Sequence, residues 1–170
     1  ISPKGSAISQ EYGIRPGTEP VSLISGMALA IKLLDSLVDK PTFDYKSEYH
    51  KVKTLTNYLR NELGNIKSIK FTGHPNKRLT NHISLVVANS SNQPISSRKL
   101  IRVLSDKGIC ASSGTACSLK EKNDSQVLKA MKIPTHWRQS ALRFTLGNWL
   151  EQEQVEKVPR ILCEAISLLE

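Results

Sequence analysis

Residues 112–118, Ser-Ser-Gly-Thr-Ala-Cys-Ser, set a thiol among small side chains that offer little bulk to bury it. Gly114 permits backbone angles closed to other residues. The Leu119-Lys120-Glu121-Lys122-Asn123-Asp124 run that follows is too polar to pack. A loop of this kind can carry the Cys117 thiol over some distance, and Lys120 and Lys122 favour its thiolate, the nucleophilic form. On spacing alone, a working nucleophile and a surface thiol without a role stand even. Farther on, Leu142, Phe144 and Leu146 alternate, so Arg143 points to the opposite strand face with Ala141 and Thr145. By that ground alone it is a solvent-facing strand arginine. Thr18 lies just ahead of Pro20 and an apolar helix, where its hydroxyl suits an N-cap or a turn.

The remaining reactive residue types point to no second centre. Cys110 falls in a predicted strand and Cys163 beside Leu162 in a predicted helix, and both read as buried small apolar residues. Three cysteines without short paired spacing, and four scattered histidines, form neither a disulfide framework nor a metal-ligand cluster. His82 opens an apolar strand and takes no assigned chemistry. The cysteine usage fits a reducing, cytoplasmic setting.

The elements that must hold these residues follow from periodicity. Ile24, Met27, Ala28, Ile31, Leu34 and Val38 form one helical stripe after a polar, turn-rich start, and Asp39-Lys40-Pro41 ends it. Thr42 is placed to cap a second helix with Tyr45, Tyr49, Val52, Leu55, Leu59 and Leu63 inward and Gly64 at its end. The period then becomes two: Ile69 and Phe71, and then Ile83, Leu85 and Val87, predict strands. Ser96 and Ser97 can cap a helix carrying Leu100, Ile101, Val103 and Leu104 and closed by Gly108. A short strand over 109–111 and a loop over 112–124 are expected next. Val127, Leu128 and Met131 predict a brief helix stopped before Pro134, and residues 142–146 a strand. A final helix buries Val155, Val158, Leu162, Ala165 and Leu169, with Pro159 predicting a kink or broken start. This order implies an α/β (α+β) module, a small mixed or antiparallel sheet with helices on one face. The expected divisions are a linker over 1–20, two helices over 21–64, and a small domain over 65–170 carrying the cysteine loop.

The 170 residues hold 24 Lys and Arg against 15 Asp and Glu, a net charge of +9. The lysines are scattered, and with only three Phe, two Trp and four Tyr little aromatic surface interleaves with them. A solvated basic surface is the favoured reading over nucleic-acid binding, although a basic RNA-associated module stays open as a weaker one. No run approaches the ~18 apolar residues of a membrane-spanning helix. The chain starts at Ile1, as a piece of a longer protein would.

Four blocks in order resemble the cysteine desulfurases, pyridoxal-phosphate enzymes of the class-V aminotransferase family. Arg15-Pro16-Gly17-Thr18-Glu19 is similar to their R-[SP]-G-T-E, and Leu100–Ala111 to their L-L-x-x-L-x-x-x-G-I segment. Ser112–Cys117 followed by Val127-Leu128-Lys129-Ala130-Met131 is similar to S-S-G-[ST]-A-C and H-V-L-x-A-M-G. Leu142-Arg143-Phe144-Thr145-Leu146-Gly147 is similar to the R-F-S-L-G block. The nine residues between Cys117 and Val127 match the long-loop, NifS/IscS-type branch.

The resemblance implies that Cys117 is the nucleophile, attacking the sulfur of substrate L-cysteine, keeping a persulfide and releasing alanine. It implies that Arg143 binds the substrate carboxylate and that Thr18 donates to the cofactor phosphate across a homodimer interface. It also implies the small C-terminal domain of a fold-type I enzyme, serving iron–sulfur assembly or thio-modification through a sulfur-acceptor or scaffold protein.

The S-H-K segment holding the family's Schiff-base lysine does not occur here, so pyridoxal phosphate would be bound mainly by a large domain outside this chain, which alone would be inactive. Departures stand at Ala7–Glu11, where the family has G-G-G-Q-E, at Gln126 for histidine, at Lys132 for glycine, and at Leu150 for the usual N-cap. A non-catalytic persulfide acceptor or docking module without the cofactor is the alternative reading.

Overall fold

The computed structural model describes residues 17–38, 45–114 and 125–170. They divide into one unit up to residue 45 and a second from 46 to 170. In the first, helix α1 spans Val21–Val38, as its apolar run predicts. Its start is set by Pro20, whose carbonyl accepts from the Ile24 N–H at 3.0 Å. Of the expected stripe, Ile24, Met27, Ala28 and Ile31 are exposed rather than buried. Thr42, the expected cap of the second helix, lies outside the described residues.

The second unit begins with α2 (Tyr45–Gly64), then β1 (Ile69–Phe71), β2 (His82–Val87) and α3 (Ser97–Asp106). It continues through β3 (Ser112–Ser113), α4 (Gln126–Ala130), α5 (Thr135–Arg138), β4 (Ala141–Thr145) and α6 (Gln152–Ser167). The sheet order is β1-β2-β4-β3, antiparallel throughout. Ile83, Leu85 and Val87 of β2 and Leu142 and Phe144 of β4 share one face, as their period of two requires. That face packs on Leu55, Leu59 and Leu63 of α2, Leu100 and Leu104 of α3, and Val155, Leu162, Ala165 and Ile166 of α6. Helices α2, α3 and α6 thus cover one face, as expected. On the other, Val86 and Ala141 meet only Leu128 of α4, with Ile133 and Trp137 beside it.

Several local expectations change. Tyr49 is exposed rather than inward, while Leu55, Leu59 and Leu63 hold their side of α2. No strand forms over 109–111. Instead the Ile109 N–H returns to the Leu104 carbonyl (2.8 Å) and the Gly108 N–H to Ser105 (2.9 Å), with Gly108 at φ +80°. This Schellman closure of α3 occupies the backbone until pairing with β4 starts at Ser112. Helix α6 runs through Pro159 as one element because buried residues on both sides of it hold the two halves to the core. Its N-cap is Glu151, not Leu150, and the Glu151 N–H donates to Gln154 Oε1 at 2.9 Å. Helix α5, a four-residue turn that starts directly after Pro134, has no periodic signature in the sequence. Cys110 and Cys163 are both exposed, not buried. Cys163 follows Leu162 on a helix, and one residue turns it about 100° away from the core-facing side.

Candidate functional site

Strand register builds the thinly covered face. Arg143 of β4 stands opposite Ser84 of β2 on one side and Ser112 of β3 on the other. Ser84 continues the polar row outward to Thr72, whose hydroxyl lies 2.6 Å from its own and whose N–H donates to its carbonyl. Arg143 therefore rises from the face opposite the core, as alternation predicts. It lines a cavity of ≈ 250 Å³ with Thr72, Ser84, His82, Arg78 and Lys77. Residues Gly114 and Ser125 line the same cavity. They border the segment 115–124 that contains Cys117, which itself lies outside the described residues.

Both borders are fixed for identifiable reasons. The Gly114 N–H donates to the Ala141 carbonyl at 3.1 Å. A Cβ there would come within 2.8 Å of Ala141 Cβ and 2.9 Å of Leu128 Cδ1, so only glycine fits between β4 and α4. Space is the cause: the left-handed glycines among the described residues are Gly17, Gly73 and Gly108. Ser125 is buried and caps α4, its Oγ accepting from the Leu128 N–H at 3.3 Å. At the other end of α4, Lys132 stands at φ +59°, and the Ile133 N–H closes on the Leu128 carbonyl at 3.0 Å. A glycine would take this left-handed turn without strain, and Lys132 adopts it at a steric cost.

Two residues that sequence reasoning passed over sit beside Arg143. His82 pairs with Thr145 across β2 and β4. The Arg78 Nη2 group donates to the His82 carbonyl and lies 3.4 Å from its Nδ1. Burial, and then the charges of Arg78 and Arg143, hold the His82 imidazole below the ordinary histidine pKa of 6.5, so it is neutral at pH 7. Arg78 is in turn lowered by burial and by Arg60, yet stays a cation. The signal for His82 was its period with Ser84; Arg78 lies in an aperiodic segment and had none.

Thr18 lies in the other unit, two residues ahead of Pro20, which directly precedes α1; Thr18 is therefore not the N-cap. A larger hollow of ≈ 460 Å³, lined by Leu59, Cys110, Phe144, Leu146, Trp149 and Val158 among others, holds none of the expected site residues. Among the described residues no His/Cys/Asp/Glu group is arranged to hold a metal, and no helix is long and apolar enough to cross a membrane.

The sequence profile of the aminotransferase class-V family matches residues 4–158. The chain belongs to that family. It is 27% identical over 169 residues to a cysteine desulfurase IscS of Rickettsia felis, covering 99% of this chain and 38% of the relative. Against IscS of Buchnera aphidicola it is 29% identical, covering 94% and 36%. Among solved structures, a NifS-like protein of Rickettsia africae superposes with a TM-score of 0.67 at 22% identity, covering 96% of this chain and 39% of that one, a likeness of fold. Another NifS-like protein superposes at 0.65 with 25% identity, covering 97% and 38%. The chain spans less than two fifths of the length of the relatives it matches.

Proposed function

We propose that this chain is the C-terminal part of a pyridoxal-phosphate-dependent cysteine desulfurase in which Cys117 accepts sulfur from L-cysteine. The observation that carries this reading is that both borders of the Cys117 segment, Gly114 and Ser125, line the same cavity as Arg143. A thiol on that segment is tethered where a guanidinium can hold a carboxylate. Arg143 suits that role because its planar fork forms paired hydrogen bonds to a carboxylate, and among the described residues no acidic side chain lines the cavity to compete. Its strand position, with core residues Leu142 and Phe144 on either side, holds the Arg143 backbone rigidly.

Arg143, which lines the cavity, suits the substrate carboxylate, and the resemblance adds the Thr18 hydroxyl, which in a homodimer would serve the cofactor phosphate. Pyridoxal phosphate, when bound, supplies the electron sink that makes the substrate's carbon–sulfur bond labile. The Cys117 thiolate attacks the substrate sulfur, a sulfur–sulfur bond forms, and the carbon–sulfur bond breaks with its electron pair left on carbon. That carbon takes up a proton and alanine leaves. A persulfide held in this way can be passed to an acceptor for cluster assembly or thio-modification.

The test is the mass of the Cys117 peptide after the whole protein meets pyridoxal phosphate and L-cysteine. It gains one sulfur, dithiothreitol removes it, and Cys117→Ser abolishes the gain. Arg143→Lys raises KM for L-cysteine roughly 10- to 100-fold, the ~1.5–3 kcal/mol of a charge-assisted bond. An unmodified Cys117 in a cofactor-loaded protein overturns the reading in favour of a non-catalytic acceptor.

A further inference from the structure

The cavity on Arg143 holds more positive charge than one carboxylate needs. Arg143 enters from β4, and Arg78 and Lys77 enter from the segment that joins β1 to β2, with no described acidic side chain lining the space between them. Arg78 is fixed in place. Its segment turns at Gly73 (φ +85°), and His74 Nδ1 accepts from the Asn76 and Lys77 N–H groups at 3.0 and 2.9 Å. The Arg78 N–H then returns to the Asn76 carbonyl at 3.1 Å, and its Nη2 anchors on the His82 carbonyl. The other nitrogen, Nη1, is buried and makes no hydrogen bond within the protein, a costly state for a guanidinium. Beside the two arginines the His82 ring adds no charge, because burial first, and then their charges, depress its protonation.

We propose that Arg78, with Lys77, makes this cavity a receptor for a small dianion, one acidic group held by Arg143 and the second by Arg78. The proposal rests on Arg143 being an anion receptor and not on the sulfur chemistry. The space of ≈ 250 Å³ suits a ligand of only a few heavy atoms, with its two acidic groups a few bonds apart.

The test titrates the 170-residue chain with acetate and with malonate at constant ionic strength and pH 7, following the arginine Nε–H resonances. Malonate binds at least about tenfold tighter than acetate. Arg78→Gln brings the two within about twofold of each other, Arg78→Lys keeps most of the preference, and the amide spectrum reports that each variant is folded. Equal affinities in the native chain, or a preference that survives Arg78→Gln, overturn the proposal. If acetate still binds and Arg143→Gln abolishes that binding, the carboxylate role of Arg143 stands while the dianion proposal falls. If neither anion shifts a resonance, both fall.

Discussion

The two faces of the four-stranded sheet are made by the same strands and do opposite work. Toward α2, α3 and α6, β4 presents Leu142 and Phe144 into a continuous apolar core. On the opposite face it carries Ala141, Arg143 and Thr145, of which Arg143 lines the cavity and Ala141 packs against Leu128 of α4. A period of two lets adjacent residues serve stability and recognition with little mutual interference. The buried neighbours fix the backbone, and the guanidinium inherits that rigidity without itself being packed.

The contrast is broken most directly by deleting side chains on each face. Leu142→Ala should cost about 2–5 kcal/mol of unfolding free energy in urea, because a fully buried leucine leaves a cavity. Arg143→Gln next door should change stability by no more than about 0.5 kcal/mol. Equal losses would show that the cavity face also carries the fold. Gly114→Ala tests the seam where α4 meets the sheet. Its methyl must push Ala141 or Leu128 aside, at about 1–3 kcal/mol, and a neutral result would mean that α4 shifts freely on β4. Lys132→Gly works in the other direction. Relief of the left-handed lysine should raise stability by about 1 kcal/mol, read as a higher urea midpoint with unchanged slope.

The smallest effect is the pH dependence contributed by His82. Its folded pKa lies below the unfolded value, so the unfolded chain takes up a proton first as pH falls. Its contribution to stability is therefore full above about pH 6.5 and is lost below that. The drop in melting temperature between pH 7.5 and pH 5.5 should shrink in His82→Asn; an unchanged drop would place the titration elsewhere.

Much of this was legible in the residues. The alternation of 142–146 placed Arg143 on its face, the small-residue run singled out the Cys117 segment, and the apolar spacing of α2, α3 and α6 identified the core. What stayed hidden depended on contacts distant in sequence. Arg78 sits in an aperiodic stretch, and its nearness to Arg143 follows only from the antiparallel register that brings β2 against β4. Gly114 suggested unusual backbone angles, whereas the crowding of Ala141 and Leu128, invisible in one dimension, is what excludes a side chain. Exposure of Cys110 follows from the way α3 closes, a detail of one hydrogen bond at its end.

The anchoring of Gly114 to Ala141 acts as a leash. Cys117 is three residues along the chain, and three residues of fully extended backbone reach only about 11 Å. However the intervening chain is arranged, a sulfur atom held on Cys117 stays within one such radius, plus a side chain, of the cavity rim. Under the proposed function, a molecule that collects that sulfur would meet it within this radius of Gly114, so loading and delivery would share the surface around Gly114 and Ser125.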